Sequence, residues 1–324
     1  MNVLIIGGAG MVGRKLAERL ARDGALGGTA IAGLTLYDVV EPAVPAGAKM
    51  PVRVMTGDLP AEGEAGRLIA DRPDIVFHLA AIVSGEAEQD FDKGYRINLD
   101  GTRGLLEAVR GAGQVPRLVF ASSIAVFGAP FPEAIGDEFL HTPLTSYGTQ
   151  KAICELLVSD YTRKGFLDGL SLRLPTVCVR PGAPNKAASG FFSNIIREPL
   201  AGKEAVLPVA DSVMHWHASP RAAMEFMRHA ATLDTATVGP RRALTMPGLA
   251  VTVAEQIAAL RKVAGDAVVA RIRREPDPFV EKIVAGWPRR FDARRALALG
   301  FKPDASFEQI VRIHVEDELG GRIG

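Results

Sequence analysis

The sequence predicts an α/β fold, with a doubly wound parallel sheet followed by a smaller mixed α/β lobe. An apolar strand, a glycine-dense turn and a helix follow one another in VLIIGGAGMVGRKLAERL, Val3 to Leu20. Strand-then-loop units recur at MTGDL, DIVFHLAA and LVFASS, which is the rhythm of β-α-β units. The chain of 324 residues is also long enough to add a second lobe to a domain built on such a sheet.

The first strand and helix predict a site for an anion. Val3 to Ile6 form the continuous apolar run that a strand buried on both faces requires. Leu16, Ala17 and Leu20 then recur at helical spacing. Because the first N–H groups of a helix are unpaired and its dipole is positive there, the turn between strand and helix favours a phosphate.

The spacing of the glycines narrows that ligand to a dinucleotide. Gly8-x-Gly10-x-x-Gly13 fits the fingerprint of a Rossmann-type fold, in which the pyrophosphate lies on the turn. A mononucleotide P-loop requires Lys followed by Ser or Thr, whereas Arg, Lys and Leu follow Gly13. We therefore reject the P-loop and predict a pyrophosphate.

An acidic residue, Asp38, ends the second predicted strand, GLTLYD. The carboxylate that binds the two ribose hydroxyls falls at this position in dinucleotide-binding folds. A carboxylate repels a 2′-phosphate, so the sequence favours NAD over NADP. Arg14, next to the last glycine, is the one residue that favours NADP.

Tyr147 and Lys151 are four residues apart in TSYGTQK and therefore share one face of a predicted helix. A phenol, with its ordinary pKa of about 10, becomes a usable base when a nearby ammonium and a positively charged nicotinamide favour the phenolate. Ser123 lies 24 residues before Tyr147 and ends the buried strand LVFASS, at the sheet edge where such folds bind ligands. The three side chains together are typical of proton abstraction from a hydroxyl group.

Seven landmarks occur in one order along the chain: GGAGMVG at 7–13, Asp38, GDL at 57–59, HLAA at 78–81, NLDGT at 98–102, SSIAVFG at 122–128 and YGTQK at 147–151. With them the chain resembles the extended short-chain dehydrogenase/reductase superfamily, which contains the NAD-dependent sugar-nucleotide epimerases and dehydratases. The spacing Gly7-x-x-Gly10-x-x-Gly13 is also the one used in that superfamily. Ile6 and Phe127 replace its usual threonine and tyrosine, and neither change affects proton transfer.

The resemblance implies roles for individual residues. Ser123, Tyr147 and Lys151 would be catalytic, and Asn98 would help hold a water beside the lysine. Asp58 and Leu59 would flank the adenine. The implied contacts to NAD are Gly7, Gly10, Met11, Val12, Gly13, Asp38, Asp58, Leu59, Leu79, Ala80, Ala81, Asn98, Tyr147 and Lys151. Many relatives are homodimers, so the resemblance also implies a homodimer.

The second lobe points to a small substrate. Its segment DSVMHWHASPRAA lacks the acidic pair and the preceding arginine that are typical of nucleotide-sugar enzymes in the superfamily. The segment from Leu174 to Val209 instead resembles members that oxidise the C2 hydroxyl of a four-carbon sugar acid. A nucleotide-sugar epimerase or dehydratase is the first alternative, and a non-catalytic dinucleotide-binding sensor is the second. The intact Ser-Tyr-Lys set favours an enzyme.

A substrate carboxylate needs a cationic or multi-donor partner. Candidates lie on one loop framed by Pro and Gly and just beyond it: Arg180, Asn185, Lys186, Ser189, Arg197 and His217. The plainer explanations are a capped strand end for Arg180, a solvated Lys186 and a surface ion pair for Arg197. His215 and His217 alternate along a predicted strand and face one side, but no third ligand stands at a suitable spacing, so we predict no metal site.

We place the boundary between the lobes after residue 178, which gives a Rossmann domain over 1–178 and a substrate lobe over 179–324. The chain is expected to return to the first domain around 212–250. In the second lobe FFSNIIREPLAG is a predicted helix, Ser219 and Pro220 begin another, a third follows Thr252, and Ser306 caps the last.

Composition argues against large charged partners. A net charge of +1 with interspersed acids and bases favours neither nucleic acid nor an anionic membrane. Cys154 and Cys178 lie in apolar stretches and are expected to be free thiols. No charged leader precedes the first strand and no apolar run approaches the roughly 20 residues of a membrane span, so we expect a cytoplasmic protein.

Overall fold

The computed structural model describes residues 1–182 and 189–324. Its strands are β1 (Asn2–Ile6), β2 (Ala25–Leu26), β3 (Thr29–Ala30), β4 (Gly33–Asp38), β5 (Val52–Thr56), β6 (Ile75–His78), β7 (Arg117–Ser123), β8 (Ile135–Gly136), β9 (Asp168–Leu174), β10 (Thr176–Val177), β11 (Ala205–Leu207), β12 (Met214–Ala218), β13 (Ala243–Thr245), β14 (Leu249–Thr252), β15 (Ile272–Arg274) and β16 (Phe291–Asp292). Its helices are α1 (Met11–Asp23), α2 (Glu64–Ile69), α3 (Ser84–Gln89), α4 (Phe91–Gly94), α5 (Gly101–Ala112), α6 (Ser146–Arg163), α7 (Gly190–Leu200), α8 (Pro220–Thr232), α9 (Val253–Ala264), α10 (Asp266–Val269), α11 (Pro278–Ala285), α12 (Arg294–Ala298) and α13 (Phe307–Leu319). A π-helical turn, Tyr95–Asp100, joins α4 to α5.

Seven strands form one parallel sheet in the order β13-β9-β7-β6-β1-β4-β5. From β1 the chain adds β4 and β5 on one side, and then β6, β7, β9 and β13 on the other. The strand order therefore reverses between β1 and β6, where a doubly wound sheet opens a crevice for a ligand. The predicted Rossmann-type α/β fold is confirmed.

Strand β1 shows why this sheet forms. Every residue of β1 after Asn2 is buried. Val3 and Ile5 pack in the core that contains Leu16 of α1, whereas Leu4 and Ile6 pack in the core on the other face. Side chains that alternate between two apolar cores account for the unbroken apolar run in the sequence.

The second part of the chain builds its own core. Cys178, Phe192, Leu260 and Ile310 belong to one buried apolar cluster beside the small sheets β10-β12-β14 and β11-β15. The chain returns to the large sheet at β13, and α8 packs against α1. The boundary after residue 178 stays a prediction. Both cysteines are free and buried.

The predicted helix starts are confirmed, because each has its side-chain cap. Ser219 Oγ accepts from the Ala222 N–H at the start of α8, and Ser306 Oγ accepts from the Gln309 N–H at the start of α13. Thr252 forms a full capping box with Glu255 at the start of α9. Each cap satisfies N–H groups that the first turn of a helix leaves unpaired.

Candidate active site

The glycine turn brings the backbone of β1 close to the start of α1. Gly7 has φ +96°, a backbone conformation that residues other than glycine rarely adopt. A Cβ on Gly13 would lie 2.0 Å from the Gly7 carbonyl oxygen, so only glycine allows the helix to approach the turn this closely. Without side chains at these positions, a ligand can approach the backbone of the turn and the N–H groups at the start of α1. This arrangement fits a pyrophosphate.

Asp38 lies at the carboxyl end of β4 and anchors the same turn. Its Oδ2 accepts from the Ala9 N–H at 2.9 Å, and its Oδ1 accepts from the Val39 N–H at 2.7 Å. Arg14, the residue that favoured NADP, is directed instead toward α13, where its Nη2 lies 3.3 Å from Glu318 Oε2.

A cavity of about 540 Å³ opens at the carboxyl ends of β1, β6, β7 and β9. Its walls include many residues predicted to bind the cofactor or the substrate: Gly7, Gly10, Met11, Val12, Gly13, Leu79, Ala81, Ser123, Tyr147, Lys151, Arg180 and Ser189. These residues come from loops far apart in the sequence and meet because parallel strands end at one edge of the sheet.

The three predicted catalytic side chains line this cavity together. Ser123 Oγ accepts from the Ala125 N–H at 3.1 Å, which leaves its own O–H free to donate. Lys151 Nζ donates to the Ala121 carbonyl at 2.8 Å and lies 5.7 Å from the centre of the Tyr147 ring. Helix α6 carries the Tyr and Lys one turn apart, as predicted from their spacing.

The electrostatics of Tyr147 differ from the expected pattern. Burial raises the pKa of the Tyr147 phenol, and the Arg180 charge and the Ser123 hydroxyl lower it. Burial also lowers the pKa of Lys151 to about 8, against the opposing influence of Cys154 and Glu155. The cation that lowers the pKa of Tyr147 is therefore Arg180, whereas the sequence pattern predicted this effect for Lys151.

Five of the residues implied to contact the cofactor, Asp38 among them, do not line the cavity. Asn98 lies in the π-helical turn and is buried, with Oδ1 accepting from the Ile82 N–H at 2.9 Å and Nδ2 donating to Gln150 Oε1 at 2.8 Å. It therefore supports the loop after β6, which contributes to the cavity. The others are Ala80, which lies against Gly7, Asp58, which pairs with Arg96, and Leu59, which is buried in the core.

The predicted carboxylate partners separate into different environments. Arg180 lines the cavity, where its Nε donates to the Val177 carbonyl at 3.0 Å and its Nη2 donates to Ser189 Oγ at 3.1 Å. Arg197 does not line the cavity, but its Nη1 donates to the Arg180 carbonyl at 2.9 Å and so fixes the backbone of that residue. Asn185 and Lys186 lie outside the described residues.

His217 is fully buried and does not line the cavity. Its Nε2 lies 3.0 Å from Gln256 Nε2, between β12 and α9. The neighbouring histidine on the same strand face, His215, reaches the cavity instead. Sequence analysis also missed Thr176 and Trp287 in the cavity wall. The alternation of the two histidines indicates that both side chains lie on one face of β12, but it does not indicate which of them reaches the cavity.

The sequence profile of the NAD dependent epimerase/dehydratase family matches residues 3–226. The chain belongs to this family. The predicted membership of the extended short-chain dehydrogenase/reductases and the predicted cofactor, NAD, are thereby confirmed.

Two curated members of the family match this chain over nearly its whole length. D-erythronate dehydrogenase from Cupriavidus necator is 50% identical over 98% of this chain and 98% of its own. D-erythronate dehydrogenase from Haemophilus influenzae is 43% identical over 98% of this chain and 100% of its own. A solved structure described as a nucleoside-diphosphate-sugar epimerase from Agrobacterium tumefaciens is 62% identical, with a TM-score of 0.97 over 100% of this chain and 96% of that chain.

The site residues fit the family's cofactor. The turn at Gly7 and Gly13 leaves room that any side chain would fill, and Asp38 presents a carboxylate beside it. Lys151 uses one of its three N–H donors on Ala121 and keeps two for a ribose. Among residues 1–182 and 189–324, no three His, Cys, Asp or Glu side chains are grouped to hold a metal ion. No helix in the described part of the chain is long and apolar enough to cross a membrane.

Proposed function

We propose that this protein is an NAD-dependent dehydrogenase that oxidises the C2 hydroxyl of a small sugar acid. The best candidate is D-erythronate, which would yield 2-dehydro-D-erythronate. The names of two relatives at 50% and 43% identity support this substrate class.

The observation that carries the proposal is a partly buried cation in the cavity wall, without a carboxylate partner among the described residues. Arg180 donates to a carbonyl and a hydroxyl, and no carboxylate forms an ion pair with it among the described residues. The sequence between the two described ranges, 183–188, reads Ala-Pro-Asn-Lys-Ala-Ala and contains no acidic residue. Partial burial of an unpaired guanidinium costs solvation free energy, and a guanidinium matches a carboxylate with two parallel N–H donors. A substrate carboxylate would supply the missing partner.

The catalytic side chains then have defined tasks. With the carboxylate held at Arg180, the C2 hydroxyl lies within the same cavity as Ser123 and Tyr147. The Ser123 O–H donates to the C2 oxygen, and the Tyr147 phenolate takes the proton from that oxygen. NAD, when bound, accepts the hydride that leaves C2. The product is a 2-oxo acid. Arg180 favours the phenolate, and Lys151, whose Nζ lies 5.7 Å from the centre of the Tyr147 ring, has two N–H donors left to hold the nicotinamide ribose.

A nucleotide-sugar epimerase is the second candidate, since the Agrobacterium structure at 62% identity carries that description. The same three side chains would then oxidise a ring hydroxyl, and NAD would be reduced and reoxidised without net change. Net formation of NADH therefore separates the two functions.

The first experiment follows NADH absorbance with NAD+ and a panel of acids: D-erythronate, L-threonate, their five-carbon homologues and lactate, with UDP-sugars tested in parallel for epimerisation. We expect NADH from one four-carbon sugar acid and none from UDP-sugars. Silence with every acid, together with epimerised UDP-sugar, would replace the proposal with the second candidate. The homodimer and the cytoplasmic location remain predictions.

A further inference from the structure

The cavity wall contains a hydrogen-bonded relay that sequence analysis did not anticipate. Thr176 of β10 and His215 of β12 both line the cavity, together with Trp287 and Pro288 from the segment after α11. Thr176 Oγ1 lies 2.7 Å from His215 Nε2, and His215 Nδ1 lies 2.9 Å from the Pro288 carbonyl oxygen. One histidine thus joins the wall residue Thr176 to the segment that carries Trp287.

The partners of His215 fix its tautomer. A carbonyl oxygen only accepts, so the proton of the ring must be on Nδ1, where it is donated to Pro288. Burial lowers the pKa of His215 to about 4, so the ring is neutral near pH 7 and carries a single proton. Nε2 is therefore an acceptor, and the hydrogen of the Thr176 hydroxyl is donated to it.

Thr176 consequently faces the cavity without a hydrogen to give. A hydroxyl has one donor and two acceptor lone pairs, and its one donor is engaged by His215. Arg180, in the same wall, has only donors. A group that accepts, such as a carboxylate, is favoured at Arg180 and disfavoured at Thr176, whereas a hydroxyl can donate to Thr176. The two side chains therefore distinguish the two ends of a hydroxy acid.

We propose that Thr176 determines specificity by accepting a hydrogen bond from a second hydroxyl of the substrate, beyond the one that is oxidised, with His215 as its positioning residue. This inference rests on the proposed function and deepens it. It predicts that the enzyme distinguishes a polyhydroxy acid from an acid that lacks one hydroxyl, because the deoxy acid leaves the Thr176 oxygen without a donor.

The test compares the best tetronate of the panel with its 3-deoxy and 4-deoxy forms, which have the same C2 configuration. In the wild type, one deoxy acid should lose about tenfold in kcat/KM relative to the tetronate, the scale of one hydrogen bond. Thr176→Val should bring that ratio close to one by losing turnover of the tetronate alone. Thr176→Ser, which keeps the hydroxyl, should retain the wild-type ratio.

Thr245→Val is the matched control, since Thr245 lies in β13 and does not line the cavity, and its buried hydroxyl has no hydrogen-bond partner among the described residues. It should leave the ratio unchanged. His215→Phe should lower the ratio, because Thr176 loses the partner that takes its hydrogen and orients its oxygen toward the substrate hydroxyl. A purely structural role of His215 would lower turnover of all acids alike.

The outcomes separate this inference from the function on which it rests. No turnover of any acid by the wild type would overturn both. Turnover of the tetronate with an unchanged ratio in Thr176→Val would overturn the role of Thr176 and leave the dehydrogenase intact.

Discussion

Arg180 is the residue that links recognition to chemistry in this cavity. Its guanidinium is partly buried, its backbone is held by Ser193 and Arg197, and its charge lowers the pKa of Tyr147. The same cation is the proposed partner of the substrate carboxylate. One side chain thus orients the substrate and adjusts the base that receives its proton.

Arg180→Gln should therefore have two effects. Without the cation, the phenol of Tyr147 keeps the burial that raises its pKa and loses the charge that lowers it, so its pKa rises. Because the base must be deprotonated to act, the acidic limb of the kcat/KM profile should move to higher pH. Loss of a charged hydrogen bond should also raise KM for the acid by roughly 10- to 100-fold. Both quantities come from initial rates between pH 6 and 10.

Two further variants test whether the shifted pH profile and the raised KM come from Arg180 acting on Tyr147 and on the substrate. Arg312→Gln, which removes an exposed arginine paired with Glu308 on α13, should leave both unchanged. Tyr147→Phe should bind NAD and lose most turnover, and an Arg180→Gln profile that coincides with the wild type would show that this charge does not act on the base.

At the scale of elements, one helix cap also joins two elements that are distant in the sequence. Ser219 Oγ caps α8 and also donates to Asp304 Oδ1 at 2.7 Å, while the Ser219 N–H donates to Asp304 Oδ2 at 2.7 Å. Both residues are buried. The start of α8 is thereby fixed to the loop that precedes α13.

Ser219→Ala should lower the free energy of unfolding by about 2 kcal/mol, because a cap is lost and a buried carboxylate oxygen loses its donor. KM for NAD should not change, since Ser219 does not line the cavity. Urea unfolding measures the free energy of unfolding, and initial rates measure KM for NAD. Ser306→Ala, at an exposed cap with the Gln309 N–H as its partner, is the matched comparison and should cost less, about 1 kcal/mol. Equal losses in the two variants would contradict the role of Asp304.

At the scale of the whole molecule, α13 is tied to the helix of the glycine turn. Lys15 Nζ lies 3.0 Å from Asp317 Oδ2 and 2.7 Å from Glu318 Oε1, and the Lys15 side chain is only 10% exposed. Burial by itself raises the pKa of Asp317 and of Glu318, but their basic partners, Arg221 and Lys15 for the first and Lys15 and Arg14 for the second, hold both pKa values below the usual range.

These depressed pKa values make stability depend on pH. The contribution is fully present above the unfolded pKa values, which are about 4, and is lost as the pH falls through the lower folded values. Lys15→Met should be less stable than the wild type at pH 7 and should lose less stability between pH 5 and pH 3, as measured by urea unfolding. Arg22→Met, an exposed position on α1, is the control. The same acid loss in Lys15→Met and in the wild type would contradict a contribution from these ion pairs.

The sequence by itself determined the features that depend on neighbouring residues. The glycine turn, Asp38, the Tyr147-Lys151 pair and the caps at Ser219 and Ser306 each follow from a local spacing, because strand, turn and helix geometry fix where residues one to four positions apart lie. Ser123 could be added because parallel strands end at one edge of the sheet.

Only the tertiary structure decided which side chains from distant segments meet in the cavity. Thr176, His215 and Trp287 come from three separate segments, and Arg197 and His217, which carried equally good local signals, lie behind the wall. The charge that acts on Tyr147 comes from Arg180, 33 positions away in the sequence, rather than from Lys151 one helical turn away. Burial and charge depend on distances through space, and a linear pattern constrains those distances only within one element.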